Sequence, residues 1–286
     1  DISNSEESSM KNSLTNEVNI FFEEYLNSTR EVQFFNDEAL FESYLTPETL
    51  DAVIKEFRNH APLAIRFQKA ESLYQQKLLS LHQVEPWDMA ARPADFAEPR
   101  FTIGDATRAV LDALRIFGKE YQTELARLYD PHNGRLDIVA GANRKSGDFT
   151  WGAPGAWVFF MQGYKGYLAD AVSLSHESAH AVHHSLLDKA GVPWYYSDGP
   201  RYFTEGFAKV NELLILDHLA KNAKTDSDRL FYLREWNSKL ASVKFASMYW
   251  AAYATSFETE VYRRVKDGTA SEPENIHEIW AQFGRL

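Results

Sequence analysis

Apolar residues recur at the spacing of an α-helix through most of this 286-residue chain, and this period limits the chain to helical architectures. In the clearest case, which runs from 102 to 128 with a break at Gly118, one helix face carries Ala106, Val110, Leu114, Phe117, Tyr121 and Leu125. Similar spacing predicts helices over residues 17–27, 37–44, 46–58, 62–81, 168–187, 203–221, 226–239 and 241–266. The sequence therefore predicts a mainly α-helical fold.

Between residues 136 and 162 the pattern changes from helix to strand. Residues 136–139 and 156–161 are predicted as short strands, with a glycine-rich loop at 143–155 between them. The stretch 82–100, which contains three prolines, is predicted as an extended connection. A small β-sheet is therefore expected immediately before the helix that begins at Leu168.

The helical segments follow one another without a linker rich in Pro, Gly or Ser. With 44% apolar residues the chain can fill a substantial core, so residues 1–286 are predicted to form a single domain. The polar residues 1–15 are predicted to be flexible.

Composition argues against several classes of protein. The formal net charge is −11 and no cluster of Lys and Arg is present, so we predict no nucleic-acid partner. The chain has no long uncharged apolar run and no signal segment at its start, so we predict a cytoplasmic protein without a membrane partner. Since cysteine is absent, His and carboxylate side chains are the ligands available for a metal.

An H-E-x-x-H motif, from His176 to His180, lies inside one of the predicted helices. Residues four apart on a helix project from one face, so His176 and His180 can direct a ring nitrogen at the same ion. Glu177 lies about 100° round the helix from His176, where it can hold a water bound to that ion. We predict the two histidines as metal ligands and Glu177 as the general base.

The next predicted helix supplies a third ligand. A catalytic zinc needs three protein ligands and one open position, and Glu205, 29 residues after His176, is predicted to complete the set. Glu212 follows two turns later on the same face and is predicted to accept the outer N–H of a ligand histidine; a solvated helix residue is the alternative. His183 either supports the site in the same way or is a packing residue.

This pattern resembles the oligoendopeptidase F branch of the thimet-oligopeptidase family. The resemblance is carried by the motif at 176–180, the spacing to Glu205, the pair Asn211-Glu212, and the segments 86–89, 147–152 and the helix from Thr102. It covers about residues 10 to 286.

The resemblance implies a zincin-like, mainly helical metallopeptidase domain with a zinc ion at the floor of a deep channel. It implies one Zn²⁺ per chain and hydrolysis of short oligopeptides rather than folded proteins. By position in the family motif, the ligands are His176, His180 and Glu205, and the general base is Glu177.

The family also binds the substrate backbone along an edge strand beside the active helix. That strand is expected here around residues 155–160, so Gly155, Ala156 and Val158 are predicted to contact substrate. Ala179 stands where the family usually has Gly, a small change that a helix tolerates.

Two parts of the family pattern are expected to be missing from this chain. They are a long N-terminal lobe and a C-terminal segment whose His and Tyr residues stabilise the oxyanion, and Tyr249 and Tyr253 are not assumed to replace the latter. Three alternatives stay open at this point: a related zinc carboxypeptidase or dipeptidyl carboxypeptidase, a catalytically weak fragment that binds peptide, and a metal-free helical protein.

Overall fold

A computed structural model describes residues 44–93, 96–138, 147–153, 156–160, 163–196, 199–241, 248–270 and 272–283. The predicted helix at 17–27 lies outside these residues, and the one at 37–44 reaches them only at Tyr44. Among the described residues, no helix combines the length and the apolar composition that crossing a bilayer requires.

Most of the described residues are helical, which confirms the prediction of a mainly α fold. The α-helices are Pro47–Leu79 (α1), Ile103–Ala113 (α2), Gly118–Leu128 (α3), Leu168–Lys189 (α4), Arg201–Lys221 (α5), Asp226–Ala241 (α6), Met248–Lys266 (α7) and Pro273–Phe283 (α8). Short 3-10 helices cover Pro86–Ala90, Leu114–Phe117 and Trp194–Tyr196. The predicted break at Gly118 separates α2 from α3, and there the backbone adopts φ 87°, which favours glycine.

Helix α1 passes through Pro62, where the sequence predicts two separate helices. Proline removes one backbone hydrogen bond and crowds the carbonyl four residues earlier, which belongs to Arg58. Both residues are exposed, so solvent can satisfy that carbonyl and the helix continues. The sequence prediction also lacks α8, whose short apolar face includes Ile276, Ile279 and Trp280.

The described chain divides into two compact units. One contains the residues up to Ala61 together with those from Met248 onward, and the other runs from Pro62 to Ser247. In the first unit the Trp280 ring of α8 stands edge-on to Phe257 of α7, with ring centroids 4.9 Å apart. The expectation of a single domain stays a prediction.

The core of the second unit lies where α2, α3, α4 and α5 meet. Its largest fully buried apolar side chains are Leu114, Leu125, Leu174, Ile215 and Leu216. Leu174 is two residues before the H-E-x-x-H motif, and it packs into this core from α4. The core therefore fixes one face of α4, while the face that carries the motif is directed at α5.

A three-stranded sheet consists of Leu136–Asp137 (β1), Phe149–Ala153 (β2) and Ala156–Phe160 (β3). Strand β3 lies in the centre, parallel to β1 and antiparallel to β2. The expectation of an edge strand at 155–160 is wrong for Phe159 and Phe160, which pair with both β1 and β2, whereas residues 156–158 pair with β2 alone among the described residues. Strand β2 falls within the predicted loop 143–155; its side chains alternate between exposed and partly buried, a strand period that Gly147 and Gly152 obscured.

Gly166 fixes where α4 begins. Its φ is 78°, its carbonyl accepts a 2.9 Å hydrogen bond from the Phe101 N–H, and an added Cβ would lie 2.7 Å from the Phe101 carbonyl oxygen. No side chain fits this approach without moving backbone. The contact therefore holds the start of α4 beside the start of α2.

We predict that Gly166→Ala lowers the free energy of unfolding by about 1 to 3 kcal/mol, because it combines a left-handed backbone with a steric clash. Urea denaturation followed by circular dichroism measures the change. Gly104→Ala is the matched control: Gly104 lies in α2, and an added Cβ there would lie 3.9 Å from its nearest neighbour. The control should be neutral or stabilising, and an equal loss in both variants would contradict the account.

Candidate metal centre

Polar contacts between buried residues hold α4 against α5. The Ser175 hydroxyl donates to the Asn211 carbonyl oxygen at 3.2 Å, and the Asn211 side-chain amide donates to the Tyr121 hydroxyl of α3 at 2.9 Å. Ser175, Asn211 and Ala179 are fully buried. Because Ala179 has only a methyl side chain, α5 can approach α4 closely at the level of the motif.

The side chains of His176, His180 and Glu205 converge from these two helices. The two Nε2 atoms are 3.3 Å apart, His176 Nε2 is 3.3 Å from Glu205 Oε2, and His180 Nε2 is 3.7 Å from Glu205 Oε1. A tetrahedral zinc with bonds of about 2.0 to 2.2 Å separates its ligand atoms by about 3.3 to 3.6 Å. The group therefore has the chemistry and the spacing to hold a metal ion.

The three candidate ligand side chains differ in exposure. The imidazoles are mostly buried, whereas the Glu205 side chain is 52% exposed. Burial, and then the neighbouring His176, lower the pKa of His180 to about 4. The His180 ring is therefore neutral at pH 7, as a metal ligand must be, and access to the group is on the Glu205 side.

His176 is oriented by Glu212, one of the most buried carboxylates of the second unit. The His176 Nδ1–H donates to Glu212 Oε1 at 2.7 Å, which leaves the Nε2 lone pair free for a cation. Glu212 also forms ion pairs with Lys209 at 3.0 Å and Lys239 at 2.8 Å. Burial raises the pKa of Glu212, but the contacts with His176 and Lys239 outweigh it and lower that pKa to about 2.

Glu177 lies beside the three ligand side chains and is 11% exposed. Its Oε1 is 4.0 Å from His176 Nε2, and its Oε2 is 3.1 Å from the Thr150 hydroxyl. The same hydroxyl is 2.7 Å from the main-chain oxygen of Glu177, so Thr150 ties strand β2 to helix α4. Burial raises the pKa of Glu177 above its ordinary range, which makes the carboxylate a stronger base.

Among the predicted site residues, the structure brings together the three ligand candidates, Glu177 and Glu212. His183 is partly buried on α4, with its ring 5.6 Å from that of His184, and its supporting role stays a prediction. Gly155 lies outside the described residues. Ala156 and Val158 pair with Ala153 and Trp151 of β2, and their contact with substrate also stays a prediction.

The chain matches the model of peptidase family M3 over residues 23–285. It belongs to peptidase family M3. Among curated relatives, it is 21% identical over 245 residues to the chromosomal oligoendopeptidase F of Lactococcus lactis subsp. cremoris, covering 86% of this chain and 39% of the relative. It is 22% identical over 269 residues to the group B oligopeptidase PepB of Streptococcus agalactiae, covering 94% of this chain and 43% of the relative.

Solved structures share the fold of this family M3 chain. A protein from Bacillus anthracis assigned as an oligoendopeptidase F gives a TM-score of 0.67 at 14% identity, covering 95% of this chain and 49% of that one. A protein from Chlamydophila abortus assigned as a peptidase gives 0.64 at 19% identity, covering 93% and 45%. This chain therefore spans less than half the length of these relatives. The resemblance to the oligoendopeptidase F branch is confirmed at the level of the family.

Sequence reasoning missed three residues around this centre of the family M3 chain: Thr150, Lys209 and Lys239. Thr150 falls in the predicted loop, so its contact with Glu177 could not be anticipated. Lys209 is three residues before Glu212 on one helix, and this spacing is a visible signal for an ion pair. Lys239 lies on another helix, and no local pattern in the sequence indicates its contact.

We predict that the full chain binds one Zn²⁺ and that His180→Ala weakens binding more than about 100-fold, since loss of a ligand exceeds the effect of losing a supporting contact. Titration against a zinc-binding dye measures the affinity. His132→Ala is the control, because His132 is exposed in the turn after α3. Equal affinities in the two variants would remove His180 from the ligand set.

The lowered pKa of His180 predicts a pH dependence of apoprotein stability. In the unfolded chain His180 has its ordinary pKa of about 6.5, whereas in the folded chain its pKa is about 4. Between these two pH values the unfolded chain therefore binds more protons than the folded chain does. The free energy of unfolding should therefore fall as the pH falls from about 6.5 to about 4. Urea unfolding in the presence of a chelator measures it, and His180→Gln should flatten this part of the profile; an unchanged slope would contradict the assignment.

Proposed function

We propose that this chain is the catalytic part of a zinc-dependent peptidase that hydrolyses oligopeptides as an endopeptidase. This proposal rests mainly on one observation: the side chains of His176, His180 and Glu205 converge at the spacing of a tetrahedral metal site, and Glu177 lies beside them. Membership of peptidase family M3 supports peptide-bond hydrolysis. The names of the relatives in Lactococcus and Streptococcus support oligopeptides as the substrate class.

Zinc held by these three side chains would lower the pKa of a water towards about 7 and polarise the scissile carbonyl. The chain's own residues supply the rest of the chemistry. Glu177 removes the proton from the attacking water and transfers it to the leaving amine, and its raised pKa strengthens it as the base for the first of these transfers. Thr150 holds the second oxygen of that carboxylate.

The edge of β2 is the proposed platform for the peptide backbone. Strand β2 pairs with β3 along one side, and among the described residues no strand pairs with its other side. An extended peptide can add to such an edge through main-chain hydrogen bonds. Because Thr150 of β2 contacts Glu177, a peptide bound there lies close to the base.

We predict that Glu177→Gln lowers kcat by about 100- to 10,000-fold, since the amide cannot accept the proton. Zinc content should be unchanged, because Glu177 is not among the ligands. A quenched fluorescent peptide measures turnover and elemental analysis measures zinc. The control Glu120→Gln changes the same charge at an exposed position of α3. Retained turnover in Glu177→Gln would remove Glu177 as the base.

Endopeptidase activity is separated from carboxypeptidase activity by peptides with amidated C-termini. A carboxypeptidase or dipeptidyl carboxypeptidase must grip a free carboxylate, whereas an endopeptidase cuts both forms. We expect the full chain to cleave blocked and free peptides at the same internal bonds, as mass spectrometry of the products will show. Cleavage of the free form alone would favour the carboxypeptidase, and zinc binding without cleavage of either would favour a peptide-binding fragment.

A further inference from the structure

Three side chains, one N–H donor and two ammonium groups, contact the Glu212 carboxylate. His176 of α4 and Lys209 of α5 both contact Oε1, at 2.7 and 3.0 Å. Lys239 of α6 is 2.8 Å from the other oxygen, Oε2. The Glu212 side chain is only 4% exposed, so nearly all of its solvation is replaced by these contacts.

A carboxylate buried to this extent is costly unless it is paired. Lys209 and His176 both contact Oε1, and neither of them contacts Oε2. Lys239 is the cation that holds Oε2, and it arrives from a helix that contributes no ligand. Oε2 accepts no hydrogen bond from the described residues, so the ion pair with Lys239 is the interaction that offsets its burial, while Oε1 is directed at the His176 ring.

The His176 ring in turn presents Nε2 to the metal. A ligand imidazole keeps its tautomer and orientation when its other N–H has a fixed acceptor. If Oε2 lost its cation, the carboxylate could rotate towards Lys209, and the acceptor for Nδ1–H would no longer be fixed. The effect would reach the ligand atom through two contacts, Lys239 to Glu212 and Glu212 to His176.

We propose that Lys239 is a positioning residue of the metal centre, which acts through Glu212 to hold His176 in its ligating orientation. The inference rests on the proposed zinc site. It places a determinant of metal affinity on α6, 63 residues after the first motif histidine in the chain. Lys239 is not part of the candidate ligand group, and its contact is with Glu212.

The test measures zinc affinity of the full chain by competition with a chelator of known affinity, so it does not depend on turnover. Lys239→Met keeps an unbranched side chain that is one atom shorter and removes the charge, and we expect about 10- to 100-fold weaker binding. Lys239→Arg restores the charge and should recover most of the affinity. Lys221→Met is the control, because Lys221 pairs with Asp217 on the surface and should leave the affinity unchanged.

A double-mutant comparison separates positioning from a general effect on folding. Glu212→Gln removes the charge that Lys239 balances, so Lys239→Met should cause no further loss of zinc affinity in that background. In the double variant both charges of the Lys239–Glu212 ion pair are removed, so no buried carboxylate is left without that cation. We therefore expect the double variant to fold even if Lys239→Met alone is unstable. An additive loss in the double variant, or wild-type affinity in Lys239→Met, would overturn the inference. Absence of zinc binding by the unmodified chain would overturn the proposed function and this inference together.

Discussion

The packing of α4 on α5 is the constraint on which the centre depends. Two imidazoles from α4 and one carboxylate from α5 can converge only if the helices approach closely along the motif, and Ser175, Ala179 and Asn211 make this approach possible. Core residues on the opposite face of α4 prevent the helix from rotating away. The candidate metal site is therefore built on the helical core and not on a flexible loop.

Three side chains of the centre are each held by a neighbour from a different element. Glu212 holds His176, Lys239 holds Glu212, and Thr150 holds Glu177. These contacts join α4, α5, α6 and β2 around one point. Burial shifts the acid–base groups in useful directions: His180 stays neutral, and Glu177 becomes more basic. The Glu205 side remains exposed, as a position for substrate requires.

How far the sequence predicts this centre depends on the range of each signal. The helix period and the i, i+4 spacing of His176 and His180 are signals between residues close in sequence, and the structure shows both in helix α4. The choice of Glu205 needed a long spacing and a family resemblance. Strand β2 was hidden by Gly147 and Gly152, and the Lys239 contact joins helices that no sequence pattern relates. Tertiary packing alone creates those contacts.

Diffraction at the zinc absorption edge from crystals of the full chain grown with Zn²⁺ tests the account most directly. The account predicts one anomalous peak, at about 2.0 to 2.2 Å from His176 Nε2, His180 Nε2 and a Glu205 carboxylate oxygen. A peak elsewhere, or a Glu205 side chain directed into solvent with zinc absent from both imidazoles, would contradict it.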